Sequence, residues 1–149
     1  MQVDPRDPER HWYVGISVAG LFETRDAGAT WEPRNRGVEA RSSPDRLPEV
    51  GQCTHSFAVH PAAPDVIWRQ DHCGMYRSED GGLTWSRIRE GLPSDYGFGL
   101  AVHPADPRTA WCVPLESDSA RVTAGGLLRV YRTTDGGRSW QPQDRGLPR

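Results

Sequence analysis

Apolar and polar residues alternate along this chain in short runs, the period-two pattern of half-buried strands. Ser56-Phe57-Ala58-Val59 and Gly99-Leu100-Ala101-Val102 show it clearly, and each ends at a Val-His-Pro turn. Further strand-like runs are Val66-Ile67-Trp68-Arg69, Gly20-Leu21-Phe22-Glu23, Gly74-Met75-Tyr76-Arg77 and Leu128-Arg129-Val130-Tyr131. Helical spacing of apolar residues is missing throughout, so the pattern predicts an all-β chain.

The strands recur with a long period. Thr24-Arg25-Asp26-Ala27-Gly28-Ala29-Thr30-Trp31, Ser78-Glu79-Asp80-Gly81-Gly82-Leu83-Thr84-Trp85 and Thr133-Thr134-Asp135-Gly136-Gly137-Arg138-Ser139-Trp140 are copies of one pattern. Their aspartates lie 54 and 55 residues apart, and so do their tryptophans. A fixed period of this length marks a solenoid, propeller or array. Each copy reads as a hairpin tip: the Asp accepts hydrogen bonds from amides two residues on, and Gly28, Gly82 and Gly137 supply positive φ. A second element precedes each copy, at Val3-Asp4-Pro5, Val59-His60-Pro61 and Val102-His103-Pro104. It is followed by Trp12, Trp68 and Trp111, and each later box Trp by Gly37, Gly91 or Gly146. All six tryptophans therefore occupy two repeat positions, which predicts a role in the core rather than in ligand binding.

These copies resemble the Asp-box, or BNR, repeat of sialidases, xyloglucanases, sortilin and photosystem II assembly factors. The resemblance implies a β-propeller; it does not by itself imply an activity. It divides residues 1–149 into a first blade at 1–37, a second at 53–92 and a third at 97–148, with long loops at 38–52 and 114–124. Each blade is expected to hold four antiparallel strands, A to D, with strand A almost missing from the first, giving about eleven strands in an open arc. Propellers close with about four to eight blades, so the expectation is a segment whose remaining blades are its partners.

Composition narrows the picture. The 149 residues suit one domain, and 16 Gly with 13 Pro suit short strands joined by tight turns. The net charge of −2 advertises no nucleic-acid surface. All 18 basic residues are Arg, which excludes lysine nucleophiles in this segment. Cys53, Cys73 and Cys112 are an odd set without metal-type spacing, so neither a disulfide framework nor a metal or cofactor is expected. No apolar run is long enough to span a membrane, and Met1-Gln2-Val3-Asp4-Pro5 does not read as a signal peptide, leaving a lean towards the cytoplasm.

Strands of a meander alternate in direction, so A–B and C–D loops share one face and B–C and D–A loops the other. The Pro-rich turns and the boxes lie on the first face, where Asp26, Asp80 and Asp135 are structural, as are Trp31, Trp85 and Trp140; His60 and His103 read there as turn residues. Irregular length falls on the second face. From box Trp to the next strand A is 28 residues after Trp31 but 17 after Trp85, and the third B–C loop is also expanded. Long variable loops on a regular scaffold are where sites are commonly carried. That face collects Cys53, His55, Asp71, His72, Cys73, Asp95, Tyr96, Glu116 and Asp118. Asp71 and Glu116 are the candidate catalytic carboxylates, and His55, His72, Asp95 and Tyr96 the candidate ligand contacts. Solvated loop polarity is the competing reading of the carboxylates, and the His and Cys residues also raise, weakly, a metal.

Two functional readings follow. One is a sialidase-like or xyloglucanase-like glycoside hydrolase or glycan-binding propeller. Sialidases clamp a substrate carboxylate with arginines, for which Arg41, Arg46, Arg69 and Arg121 are positional candidates. No Phe/Tyr-Arg-Ile/Leu-Pro segment accompanies them. The alternative is a noncatalytic protein-binding or assembly propeller of the sortilin or photosystem II assembly-factor type.

Overall fold

Short alternating runs punctuated by Gly and Pro form short strands here, and each strand pairs with its sequence neighbour. The computed structural model describes residues 1–41 and 43–148; Ser42, in the first long loop, and Arg149 lie outside the described residues. The first sheet holds β1 (Gln2–Val3), β2 (Trp12–Ile16), β3 (Gly20–Thr24) and β4 (Glu32–Pro33). The second holds β5 (Thr54–Val59), β6 (Ile67–Asp71), β7 (Gly74–Ser78) and β8 (Ser86–Arg87). The third holds β9 (Gly97–Val102), β10 (Ala110–Pro114), β11 (Val130–Thr133) and β12 (Gln141–Gln143). All three are antiparallel meanders, which makes them three propeller blades that do not close.

Among the described residues twelve strands form rather than about eleven, because Gln2 and Val3 pair with Tyr13 and Trp12. The third blade's strand C begins two residues later than its apolar run, at Val130, which pairs with Gln143 of β12; pairing with β10 starts one residue on, at Tyr131. The only helical element among the described residues is a 3-10 turn at Ala124–Gly126.

Two apolar cores lie between neighbouring sheets. Tyr13, Leu21, Val38, Val59, Ile67, Tyr76 and Trp85 fill the first, and Trp68, Met75, Ala110, Cys112, Tyr131 and Trp140 the second. Covered from both sides, β6 is buried along its whole length instead of alternating. The box tryptophans of the second and third blades pack backwards onto the preceding sheet. Trp85 donates its indole N–H to the Arg34 carbonyl at 2.9 Å, and Trp140 meets Trp68 edge-on at 6.1 Å. Trp31 is 39% exposed because no sheet lies on that side among the described residues, which corrects the expectation that box tryptophans are buried in every copy. The glycine after strand D completes the seam. At Gly37, with φ of 96°, a Cβ would stand 2.6 Å from the Trp85 carbonyl oxygen, and Gly91 meets Trp140 in the same way.

The boxes close differently from the two-residue reach expected of the Asp. Asp26 Oδ1 accepts from the Thr30 amide, four residues on, while Oδ2 takes the Thr30 hydroxyl. The amides of Asp26 and Gly28 turn instead to Thr24 Oγ1. Ser78 with Asp80 and Thr133 with Asp135 repeat the arrangement. A carboxylate and a hydroxyl thus share the amides of one turn, the hydroxyl donating back to the Asp. Each box is tied to its own A–B loop by the amides of Ala27, Gly81 and Gly136, so boxes and Pro-rich turns lie together. His60 and His103 serve that face structurally: Nδ1 of each accepts an amide two residues on, and Asp4 does the same in the first blade. His60 Nε2–H also reaches the His103 carbonyl at 2.7 Å, joining two blades.

Candidate functional site

At the opposite end the loops are irregular and the side chains converge. β6 ends at Asp71 and β7 starts at Gly74, so His72 and Cys73 form a two-residue turn. The His72 amide donates to the Cys53 carbonyl at 2.9 Å, drawing that turn against the head of β5, which carries His55. Tyr96 immediately precedes β9. His55, His72 and Tyr96 consequently meet edge to face, with ring centroids 5.3–5.5 Å apart. Three of the four ligand candidates thus come together.

Phe98 belongs with them although the sequence reading passed it over. It lies two residues after Tyr96 in an extended segment, hence on the same side of the chain, and that spacing was the available signal. Its ring stacks on His55 at 4.4 Å and 18°, remains 41% exposed, and carries the Arg121 guanidinium 5.6 Å above it. The fourth candidate, Asp95, is occupied by Arg87 at 2.7 Å.

The two candidate catalytic carboxylates are also engaged. Asp71 and Arg69 are wholly buried and paired at 2.6 Å, with Arg69 donating further to Asn35 at 2.8 Å. Burial pushes the Asp71 carboxyl above its ordinary value, against the opposing pull of Arg69. Glu116 is exposed and accepts the Gly125 amide at 2.9 Å, bracing its own loop. The sequence reading placed both at this end without revealing either partner.

The two long loops touch each other through Arg41 and Asp118. They bound two adjoining clefts that share Arg41, His72 and Cys73. One, of about 400 Å³, runs past Glu39, Arg46, Arg87 and Asp95. The other, of about 420 Å³, is lined by Ser17, Val18, Arg41, Gly51, Cys53, His55, His72, Cys73, Phe98 and Arg121, without a carboxylate. Of the four candidate arginines, Arg41, Arg46 and Arg121 reach these clefts, whereas Arg69 is enclosed in the fold.

Two further features mark this end, though unpaired buried N–H groups of Trp68, Arg77 and Trp140 also lie towards the boxes. Val18, on the cleft rim, has φ of 64°, a costly conformation for a β-branched residue and one that concentrates at functional sites. Gln52 Oε1, Thr54 Oγ1, Asp71 Oδ1 and Tyr96 Oη are buried without a hydrogen-bond partner among the described residues. All four belong to the ends of β5 and β6 or the head of β9, and such unpaired groups call for a ligand, ordered water or a stored strain.

Comparison with known proteins places these observations. The family model described as BNR/Asp-box repeat matches residues 76–87 and 131–142, the second and third boxes. The first copy forms the same turn with Ala27 at φ 61°, where the others have Gly81 and Gly136. Over 159 residues the chain is 26% identical to a probable oligoxyloglucan-reducing end-specific xyloglucanase of Neosartorya fischeri, covering 93% of this chain and 17% of that protein. An ancestral GH74 enzyme superposes with a TM-score of 0.64 at 18% identity, over 89% of this chain and 16% of the other. YCF48 bound to D1 peptide superposes with a TM-score of 0.52 at 24% identity, over 90% and 37%. These two likenesses show the fold. The chain spans about a sixth of the length of the xyloglucanase relative.

Proposed function

For a chain built of BNR/Asp-box blades, we propose that the face made by the B–C turns and the two long loops binds a carbohydrate. The observation that carries this reading is the aromatic wall of His55, His72, Tyr96 and Phe98, with Phe98 exposed and Arg121 above it. Ligand sites pair an apolar wall with a few placed polar groups. The C–H face of a sugar ring stacks on Phe98, while Arg41 and Arg121 donate to its oxygens. The xyloglucanase relative, whose name specifies a carbohydrate substrate, supports the choice of ligand. Asp71 then keeps Arg69 neutralised at the end of β6, and Glu116 holds the loop that presents Arg121.

Binding is favoured over hydrolysis by these residues. Glycoside hydrolysis uses two carboxyl groups on either side of the scissile bond, about 5–10 Å apart. Here Asp71, Asp95, Glu116 and Asp118 are each engaged by an arginine or a backbone amide. An acidic peptide is the second reading, favoured by the arginines and missing carboxylates of the larger cleft and by the peptide bound to YCF48.

Titration calorimetry with xyloglucan oligosaccharides and, separately, acidic peptides tests this, alongside turnover of fluorogenic glycosides. Oligosaccharide binding that falls at least about tenfold in both Phe98→Ala and Arg121→Ala is the expected result. Binding of the peptides alone would establish the second reading. Turnover abolished by Asp95→Asn or Glu116→Gln with binding intact would make the face hydrolytic.

A further inference from the structure

The larger cleft holds one thiol and two imidazoles whose lone pairs are not used by stacking on a sugar. Cys53, His55 and His72 each present one ligand atom, all within 4.8 Å of one another, and all three side chains are partly exposed to the cleft. The geometry points to a site for a late first-row metal ion, Zn²⁺ in the first instance, bound by one thiolate and two imidazoles. A thiolate with imidazole nitrogens suits Zn²⁺ and disfavours hard cations such as Mg²⁺ and Ca²⁺. The site goes beyond the carbohydrate reading and does not depend on it.

The surrounding groups are arranged as such a site needs. His55 Nδ1 lies 2.7 Å from the Gly97 carbonyl oxygen, which only accepts, so that nitrogen carries the proton and Nε2 keeps its lone pair. Metal-ligating histidines characteristically donate their other N–H in this way, which fixes ring and tautomer. His72 Nε2 stands 3.4 Å from Asp118 Oδ2, a carboxylate placed to take an imidazole N–H. Ser17 Oγ lies 3.1 Å from Cys53 Sγ and can donate to a thiolate there. Arg41 Nη1 stands 3.5 Å from the same His72 Nε2 and is paired with Asp118, which offsets its repulsion of a metal. Three protein ligands leave a fourth position open to water or a ligand atom on the cleft side.

Sequence spacing hides this set because the ligands come from two strands. Cys53 and His55 sit at the head of β5, while His72 enters from the turn after β6; pairing of Thr54 with Asp71 brings them level. Cys73, adjacent in sequence, lines the cleft but stands outside the cluster.

The test is titration of the reduced chain with Co²⁺ alone, followed by Zn²⁺. The expected result is one equivalent of Co²⁺ with the intense visible bands of four-coordination and a thiolate charge-transfer band, both bleached by Zn²⁺. Cys53→Ser should remove the charge-transfer band, and His55→Ala and His72→Ala the four-coordinate bands, while Cys73→Ser leaves both. Asp118→Asn should weaken binding by about 10–100-fold, as loss of an outer hydrogen-bond partner does. Circular dichroism verifies folding, and a variant that fails to fold is replaced by cobalt titration after alkylation of Cys53 in the Cys73→Ser background, which should also abolish the bands. A spectrum of six-coordinate Co²⁺ in the wild-type chain would overturn the proposal. So would a charge-transfer band that survives in Cys53→Ser, or one whose intensity per chain falls on dilution above the dissociation constant, which would put the ligands on two molecules.

Discussion

The two ends of the blades obey different rules. On the box side, three copies of one hydrogen-bond pattern repeat almost atom for atom, with a hydroxyl and a carboxylate dividing the amides of each turn. On the opposite side no two loops agree: a two-residue turn at His72 and Cys73 stands beside loops of 15 and 11 residues, at 38–52 and 114–124. The first end satisfies its turn amides internally, although the side-chain N–H groups of Trp68, Arg77 and Trp140 are buried without a partner among the described residues. The second leaves four buried polar atoms unpaired, strains Val18 and gathers rings around a cleft. Box turns that close on their own side chains leave the opposite loops free to differ.

The sharpest challenge to this division is Asp71, which stands at the variable end but acts structurally. Asp71→Ala should cost about 3–5 kcal/mol, since it strands the buried Arg69 charge. Urea unfolding checks this, and an unchanged midpoint would return Asp71 to the ligand site. Trp85→Ala should cost a similar ~3–5 kcal/mol as a large-to-small core change, and the exposed Trp31→Ala far less. Equal costs would contradict the backward packing of the box tryptophans. Ser78→Ala and Asp80→Ala should each cost about 1–2 kcal/mol by freeing turn amides.

Acid should act on the box side. Hydrogen bonds from Thr30 hold Asp26 down to about 2, and those from Ser139 hold Asp135 down to about 2, against an ordinary 3.8. A carboxylate depressed in the folded state contributes stability above its unfolded value and loses it as pH falls through the folded one. Unfolding midpoints should therefore drop between pH 3.8 and about 2, and the drop should shrink in Asp135→Asn. At the variable end, Phe98→Ala and Arg121→Ala should change stability by no more than about 0.5 kcal/mol, as exposed residues do.

Much of the fold was legible because it repeats. The period of the boxes and the six tryptophans prescribed blades and faces without any knowledge of tertiary contacts, while the seam role of the glycines after strand D emerged only from the fold. What stayed hidden depends on partners that no repeat announces. Asp71 read as a candidate catalytic carboxylate and Arg69 as a candidate substrate clamp, because nothing in the sequence shows that β6 is covered on both faces. Ser78 and Thr133 looked like the variable first letter of a motif, yet their hydroxyls close the turn. In the first blade, His11 meets Asp4 on one side and Glu23 on the other, a buried charge network drawn from three separated positions. The candidate site was legible as a face and as three of the rings that the fold brings together there. Phe98 was not, because an aromatic residue in an alternating strand looks the same whether it points into a core or into a cleft.

The most direct test measures stability and ligand affinity together in Phe98→Ala and Asp80→Ala, with the oligosaccharide or peptide that the wild-type chain binds. The account predicts that Phe98→Ala loses the ligand with its urea midpoint unchanged, while Asp80→Ala loses midpoint and keeps its affinity. Affinity lost in folded Asp80→Ala and retained in Phe98→Ala would place the ligand on the box side and contradict the division of the two faces.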